Sequence, residues 1–515
     1  MTIAPRKSLF FNASLNLLGQ GSSALAAVVC VPIYIQLLGM DGFGLIGFHL
    51  TLQTILKIVD LGLTPTVIRE MARASSTAEG RFELVDTART FELLFLAMAA
   101  AITTLLALVS PWIADHWIKR GTLSIEAVSV SVFLMSFLNG IQWMSGFYQS
   151  ALSGLERQAT LNGIRVVETL GSMFGAVGLL YWLGPRVELV FYWQTLVAAL
   201  ALIAYAIGVR VALPSALDRG RFRPSHLRRV VRFAWGMTII TTAGLVLSNM
   251  DRVLVSKLYS LDAFGTYALA AFAIGTVISV LILPFFNVML PRFTSLATMG
   301  ETKKLEDLYH LTVQMIASIC FALVFTIYFF AADLVVFWTR KPEVGDAVAR
   351  LMLILGIGMT FNCLTLPAYL MQLSHGWTRL GARLGLGLLA VFGPTLLLAT
   401  HLHGQTGAAA NFAAMNAVYW LLCVPSTLAR LLPGRAFGSL LRDILPPLGV
   451  TLAFAGVVSL VPFAGWPLIG RVGFGVGCGA TALLGSALLC ERTRGELFAR
   501  MRFASRMLGF ARSGE

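Results

Sequence analysis

The sequence predicts an all-α polytopic membrane protein of about fourteen transmembrane helices, arranged as two pseudo-symmetric six-helix lobes plus two C-terminal helices. Three observations carry that prediction. Of 515 residues, 57% are hydrophobic and only 12% charged, which is about half the charged share of a soluble protein. Apolar runs close to the ~20 residues that span a bilayer follow one another along the chain, joined by short connections with no alternating ten-residue pattern, which selects helices over a barrel. Blocks of sequence also recur 221 residues apart.

The runs fall near residues 12–38, 42–65, 90–114, 126–152, 162–184, 188–210, 233–257, 262–290, 309–336, 347–372, 381–401, 405–430, 444–463 and 468–490. The first begins with Arg6-Lys7 and contains Ala24-Leu25-Ala26, as a cleavable signal peptide does. It is kept as a span, because without it the first repeat is a helix short. With the N-terminus assigned to the cytoplasm, roughly 29 of the 39 Lys and Arg fall on the cytoplasmic side and about 8 outside. Both termini are therefore expected in the cytoplasm, and we refer to that side as the basic face. The net charge of +14 then reads as a topology signal and an attraction to lipid head groups, not as a nucleic-acid surface. Six cysteines lie singly within apolar runs and show no metal-ligand spacing, so neither a metal nor a cofactor is expected.

The recurrence defines the domains. Asp41, Phe43 and Gly44 match Asp262, Phe264 and Gly265; WIKR at 117–120 matches WTRK at 338–341; Tyr148, Leu152 and Ser153 match Tyr369, Leu373 and Ser374. Six spans per copy keep both copies in one orientation, a parallel repeat related by an axis along the membrane normal. This gives a first lobe at 1–210, a basic linker at 211–232 along the membrane surface, a second lobe at 233–430, an appendix at 431–490 and a basic amphipathic tail at 491–515. Asp41 and Asp262 are expected to be structural N-caps of the helices they begin.

Asn12 to Gly19 (N-x-x-x-x-L-G), VPIYIQLLGMDGFG, KIVDLGLTPTVIREMAR and SNMDRVLVSKLYSLDAFGTYALA together resemble the polysaccharide-exporting flippases (Wzx-type) of the MOP superfamily, a MATE-like fold. That resemblance covers the two six-helix lobes. It implies a bacterial inner-membrane protein that moves undecaprenyl-pyrophosphate-linked oligosaccharide to the outer leaflet by alternating access, for O-antigen, capsule or exopolysaccharide. It also implies coupling to a proton or sodium gradient, and a polysaccharide polymerase or ligase as an associated enzyme. The alternatives within the superfamily are a lipid II flippase and a multidrug exporter. A membrane glycosyltransferase, polymerase or ligase needs long extramembrane loops with catalytic motifs; the outer loops here are short and carry no DxD triplet or Gly-rich phosphate loop.

Ionisable groups at membrane depth are read as site candidates. Lys57 lies about 14 residues into the second run, near 21 Å of a 30 Å core. Asp60, three residues on, shares its helical face and can pair with it; a structural ion pair and a substrate or ion site weigh evenly. Asp251-Arg252 sits toward the outer end of the seventh run, with Lys257 beyond it. There Arg252 is either paired within the bundle or faces the cavity as a phosphate fork. Arg165 and Glu168 read as a structural pair near the basic face, and Arg69 and Arg292 as cations at matching mouths on that face. His49 is an interior hydrogen-bonding group or, with Asp60, an ion-coupling candidate. Gln53, Gln142, Asn139 and Gln149 are candidates to meet sugar hydroxyls, with helix–helix bonding as the equal alternative.

Overall fold

The computed structural model describes residues 6–60, 62–76, 78–213, 220–222, 244–377, 379–432, 436–490 and 492–495; the side chains of 6–20, and with them the Asn12–Gly19 motif, lie outside the described residues, as do most of the linker and tail. The chain is helical almost throughout. The helices are α1 (Arg6–Val59), α2 (Leu63–Ser76), α3 (Ala78–Trp112), α4 (Ile125–Gly154), α5 (Gln158–Leu183), α6 (Val187–Ala212), α7 (244–258), α8 (Leu261–Thr298), α9 (Thr302–Thr339), α10 (Pro342–Ser374), α11 (Arg379–Leu431), α12 (Ala436–Ser459) and α13 (Leu468–Leu489). Eleven helices among the described residues are long and apolar enough to cross a membrane. Two of them hold two spans each. α1 breaks at Gly39 (φ 72°) and α11 at Gly404 (φ 66°), a left-handed backbone that glycine adopts without a Cβ penalty. Counted so, thirteen crossings lie among the described residues; of the remaining expected run, 233–257, only the part in α7 does.

The protein is multi-pass, and its lipid-facing surface is apolar: Trp182 is 82% and Leu460 83% exposed. The chain divides into two compact units, Met1–Ala268 and Leu269–Glu515. In the first unit, α2, α3, α4 and α6 share a core of Val67, Met71, Phe91, Phe95, Phe147, Leu152 and Tyr205. In the second, α9 and α10 pack together, α10 packs on α11, and α12 and α13 lie on α9. An aromatic cluster of Phe325, Phe330, Phe463 and Phe474 fills the last contact. Arg471 pairs with Asp333 at 3.1 Å, while buried Asp443 of α12 holds His310 and, at 2.8 Å, Gln314 of α9. These bonds fasten the C-terminal pair to the bundle.

The repeated D-x-F-G turns are explained by contact rather than by capping. The hydrogen bonds of Asp41 run, among the described residues, to the amide (2.9 Å) and hydroxyl (2.6 Å) of Thr122, so Asp41 pins the loop before α4 instead of capping its own helix. At the second copy Ser260 is the cap, its Oγ accepting from the Ala263 amide at 3.3 Å, with Asp262 in the first turn of α8. Gly44 and Gly265 are where the two turns meet, both inside the first unit. A Cβ on Gly44 would overlap the Leu261 carbonyl oxygen, and one on Gly265 would lie 2.5 Å from the Met40 carbonyl oxygen. Beside this crossing, the Lys119 carbonyl accepts from the Leu261 amide at 2.9 Å. Lys257 is held over the rings of Trp112 (5.0 Å) and Trp117 (4.5 Å).

Candidate functional site

The second run does not continue through residue 65. Its helix ends at Val59, and a turn through Asp60 and Gly62 (φ 74°) leads into α2. The turn commits Asp60: its Oδ1 accepts from the Thr64 amide at 3.2 Å and the Thr64 hydroxyl at 2.8 Å, capping an otherwise free amide at the start of α2. The expected Lys57–Asp60 pair is therefore absent. Lys57 is exposed and makes no ion pair among the described residues, because the carboxylate turns toward the next helix. Asp60→Ala should speed amide exchange in the first turn of α2 about fivefold, the equivalent of ~1 kcal/mol for a lost cap. Asp60→Asn should stay near wild type, and unchanged exchange in the alanine variant contradicts the capping role.

Around this break the first unit has a half-open cavity of about 690 Å³. Its wall takes Gln53, Lys57 and Asp60 from the α1 end, Asn139, Gln142 and Gln149 from α4, Glu168 from α5, and Phe95 and Trp143 as aromatic surface. The amides form a chain. The Gln53 amide nitrogen reaches His49 Nε2 at 3.0 Å and donates to Gln142 Oε1 at 2.6 Å. With that nitrogen as donor, the ring proton of His49 sits on Nδ1, which is buried without a partner. His49 thus stands one bond behind the wall, edge-on to Phe191. Asn139 donates to the Met135 carbonyl at 2.7 Å, and Gln149 accepts from Arg165 at 3.0 Å. The carbonyl oxygens of Gln53 and Asn139 and the amide nitrogens of Gln142 and Gln149 have no partner among the described residues, and all four residues line the cavity. That alternation of acceptors and donors suits hydroxyl groups, which do both.

Arg165 and Glu168 are not an ion pair. Glu168 Oε2 accepts from the Tyr205 hydroxyl at 2.9 Å, while Arg165 turns to Gln149. Nor is Glu168 near the end of its helix: α5 begins at Gln158, so Glu168 lies ten residues in, about 15 Å along the axis. The described lining accordingly carries one ammonium and two carboxylates, unlike the cation-rich gap the sequence suggests. Both carboxylates are engaged by donors; Lys57 is the uncommitted charge.

The remaining candidates do not line this cavity. Buried Asp251 accepts from the Tyr267 hydroxyl, and its neighbour Arg252 is not among the lining residues. Arg69 pairs with Glu70 at 2.9 Å, as does Arg73 at 2.8 Å. Arg292, in the second unit, is exposed on α8. Sequence reasoning also missed a buried cluster in α3 and α4, where Glu92 takes Arg89 at 2.6 Å and the Tyr148 hydroxyl at 2.6 Å. Glu92 and Arg89 stand at i,i+3, a spacing that signals such a pair. The second unit has its own uncharged pocket of about 370 Å³, lined by Asn362, Thr365, Tyr369 and Tyr419 among others.

A sequence profile described as polysaccharide biosynthesis protein matches residues 9–297. A Shigella flexneri protein, provisionally named an O-antigen transporter, is 24% identical over 271 residues, 51% of this chain. The match spans 62% of that curated relative's length. Among solved structures the chain is similar to the lipid II flippase MurJ in an inward closed conformation, with TM-score 0.72 and 10% identity, covering 93% of this chain and 98% of that one. An inward-facing multidrug-resistance MATE transporter of the MOP superfamily gives TM-score 0.69 and 14% identity, covering 81% and 98%. A Vibrio cholerae MATE transporter gives 0.56 and 16%, covering 82% and 96%. At such identities the likeness is one of fold.

Proposed function

This chain belongs to the polysaccharide biosynthesis protein family, and from that premise we propose that it is an inner-membrane flippase for lipid-diphosphate-linked oligosaccharide, with both termini in the cytoplasm. The observation that carries the reading is Lys57. An unpaired ammonium in lipid costs on the order of 2.5–3.5 kcal/mol, so a wet cavity is where it can stand, and there it is free to meet an anionic head group. Around it the open amide groups of Gln53, Asn139, Gln142 and Gln149 offer donors and acceptors to sugar hydroxyls. The diphosphate docks on Lys57, the sugars fill the polar cavity and the polyprenyl tail stays in lipid. Alternating exposure of the cavity to the two leaflets completes the transfer. O-antigen, capsule and exopolysaccharide repeat units all satisfy this chemistry, and a polymerase or ligase would take the product.

A second reading, export of organic cations, draws on Asp60 and Glu168 in the same wall. Deleting the gene separates the two. Under the flippase reading, lipid-linked repeat units accumulate facing the cytoplasm, and wild-type protein restores their export. Unchanged glycolipid pools together with new sensitivity to cationic drugs favour the second.

A further inference from the structure

We propose that Glu168 is a proton-carrying site of the transport cycle: its carboxylate takes a proton from cavity water on one side of the membrane and returns it on the other. The inference rests on the flippase reading for its biological meaning but on separate geometry for its location. Carboxylates at membrane depth are expensive and are retained where they pair, bind or relay ions. Asp60 is committed to capping α2, and Asp251 is buried away from the cavity lining. Glu168 alone among the described lining acids stands deep within a spanning helix and has an oxygen to spare. Oε2 accepts from Tyr205, whereas Oε1 has no hydrogen-bond partner among the described residues and belongs to a residue that faces the cavity.

Its surroundings suit a site that gains and loses charge. From α6 the Tyr205 hydroxyl donates to it; from α4 Gln149 faces the same cavity; on its own helix Arg165, bonded to Gln149, is an electrostatic neighbour of both Glu168 and Tyr205. From α1, Ser23 reaches Thr169 at 3.5 Å, and Lys57 and Asp60 belong to the same cavity wall. Either state of the carboxyl is therefore provided for: ionised, it keeps the phenol and the nearby guanidinium; protonated, it remains bonded to the phenol with its new hydroxyl toward water.

The test uses the full chain in phosphatidylethanolamine–phosphatidylglycerol vesicles, with undecaprenyl-pyrophosphate-linked oligosaccharide as the probe and imposed proton or sodium gradients. Wild-type translocation should respond to the proton gradient and not to sodium alone. In Glu168→Gln whatever translocation remains should no longer respond, its stimulation falling about tenfold or to nothing, while Glu168→Asp keeps the response. A response in the glutamine variant equal to wild type, or stimulation by sodium alone, overturns the assignment. If the glutamine variant moves no substrate, Tyr205→Phe decides, since it keeps the carboxyl: the pH profile of translocation should be displaced, and an unmoved profile overturns the proposal. Wild-type protein that moves no glycolipid condemns the flippase reading instead. Glu168 is then judged by difference titration of the purified chains, where equal proton uptake by wild type and Glu168→Gln rejects it.

Discussion

Replacing Gly44 by valine should leave little folded protein in the membrane. The glycine sits where the start of the second span crosses the start of α8, so close that its missing side chain is the space occupied by the Leu261 carbonyl, with the Gly265 amide nitrogen 3.3 Å from where a Cβ would be. Those obstacles are backbone atoms, which a rotamer change cannot move aside, and overpacking of this kind costs about 3 kcal/mol or more. The same crossing is buttressed by the Asp41–Thr122 bonds and the Lys119–Leu261 amide bond, so relief by separation would break those as well. Gly265→Val should behave alike. Gly178→Ala on α5, where an added Cβ would find nothing within 4 Å, is the control. Wild-type levels and thermal midpoint for the Gly44 variant would refute the close crossing.

Lys57→Gln should be made, inserted and folded at wild-type levels yet export poorly. Glutamine, one atom shorter, keeps the polarity of the wall but offers no charge to a diphosphate. A hydrogen bond to a charged group contributes about 1.5–3 kcal/mol, so glycolipid transport should fall about 10- to 100-fold. Lys57→Arg should retain much of the activity, since a guanidinium also binds phosphate oxygens. Because Lys57 pairs with no acid among the described residues, its loss orphans no buried carboxylate, and folding is expected to survive. Wild-type export by the glutamine variant would remove Lys57 from the site.

The class of the protein was legible in composition and run length, and the D-x-F-G repeat pointed to paired helix starts. Its physical purpose was not legible, because a crossing between Gly44 and Gly265 is a long-range fact and both segments also carry the local signature of a capped helix. Asp60 shows a similar ambiguity. Lys and Asp at i,i+3 fit a pair, while D-L-G-L-T fits a helix start; the φ of 74° at Gly62 decides for the second. Glu168 was misplaced for a simpler reason: starting the fifth span at 162 instead of Gln158 moves the residue a full turn toward the surface. The His310–Asp443 contact joins residues 133 apart, beyond any local pattern. What local chemistry did indicate was the polar register of α4, where Asn139, Gln142 and Gln149 fall on one cavity wall.

The claim on which the rest depends is that the head group travels through the cavity of the first unit. Cross-linking with undecaprenyl-pyrophosphate-linked oligosaccharide bearing a photoreactive sugar tests it most directly. Labelled peptides are expected from residues 53–64 and 139–149, with labelling at the first reduced in Lys57→Gln. Labels confined to the uncharged pocket near Asn362 and Tyr419, or to lipid-exposed positions such as Trp182, would contradict it.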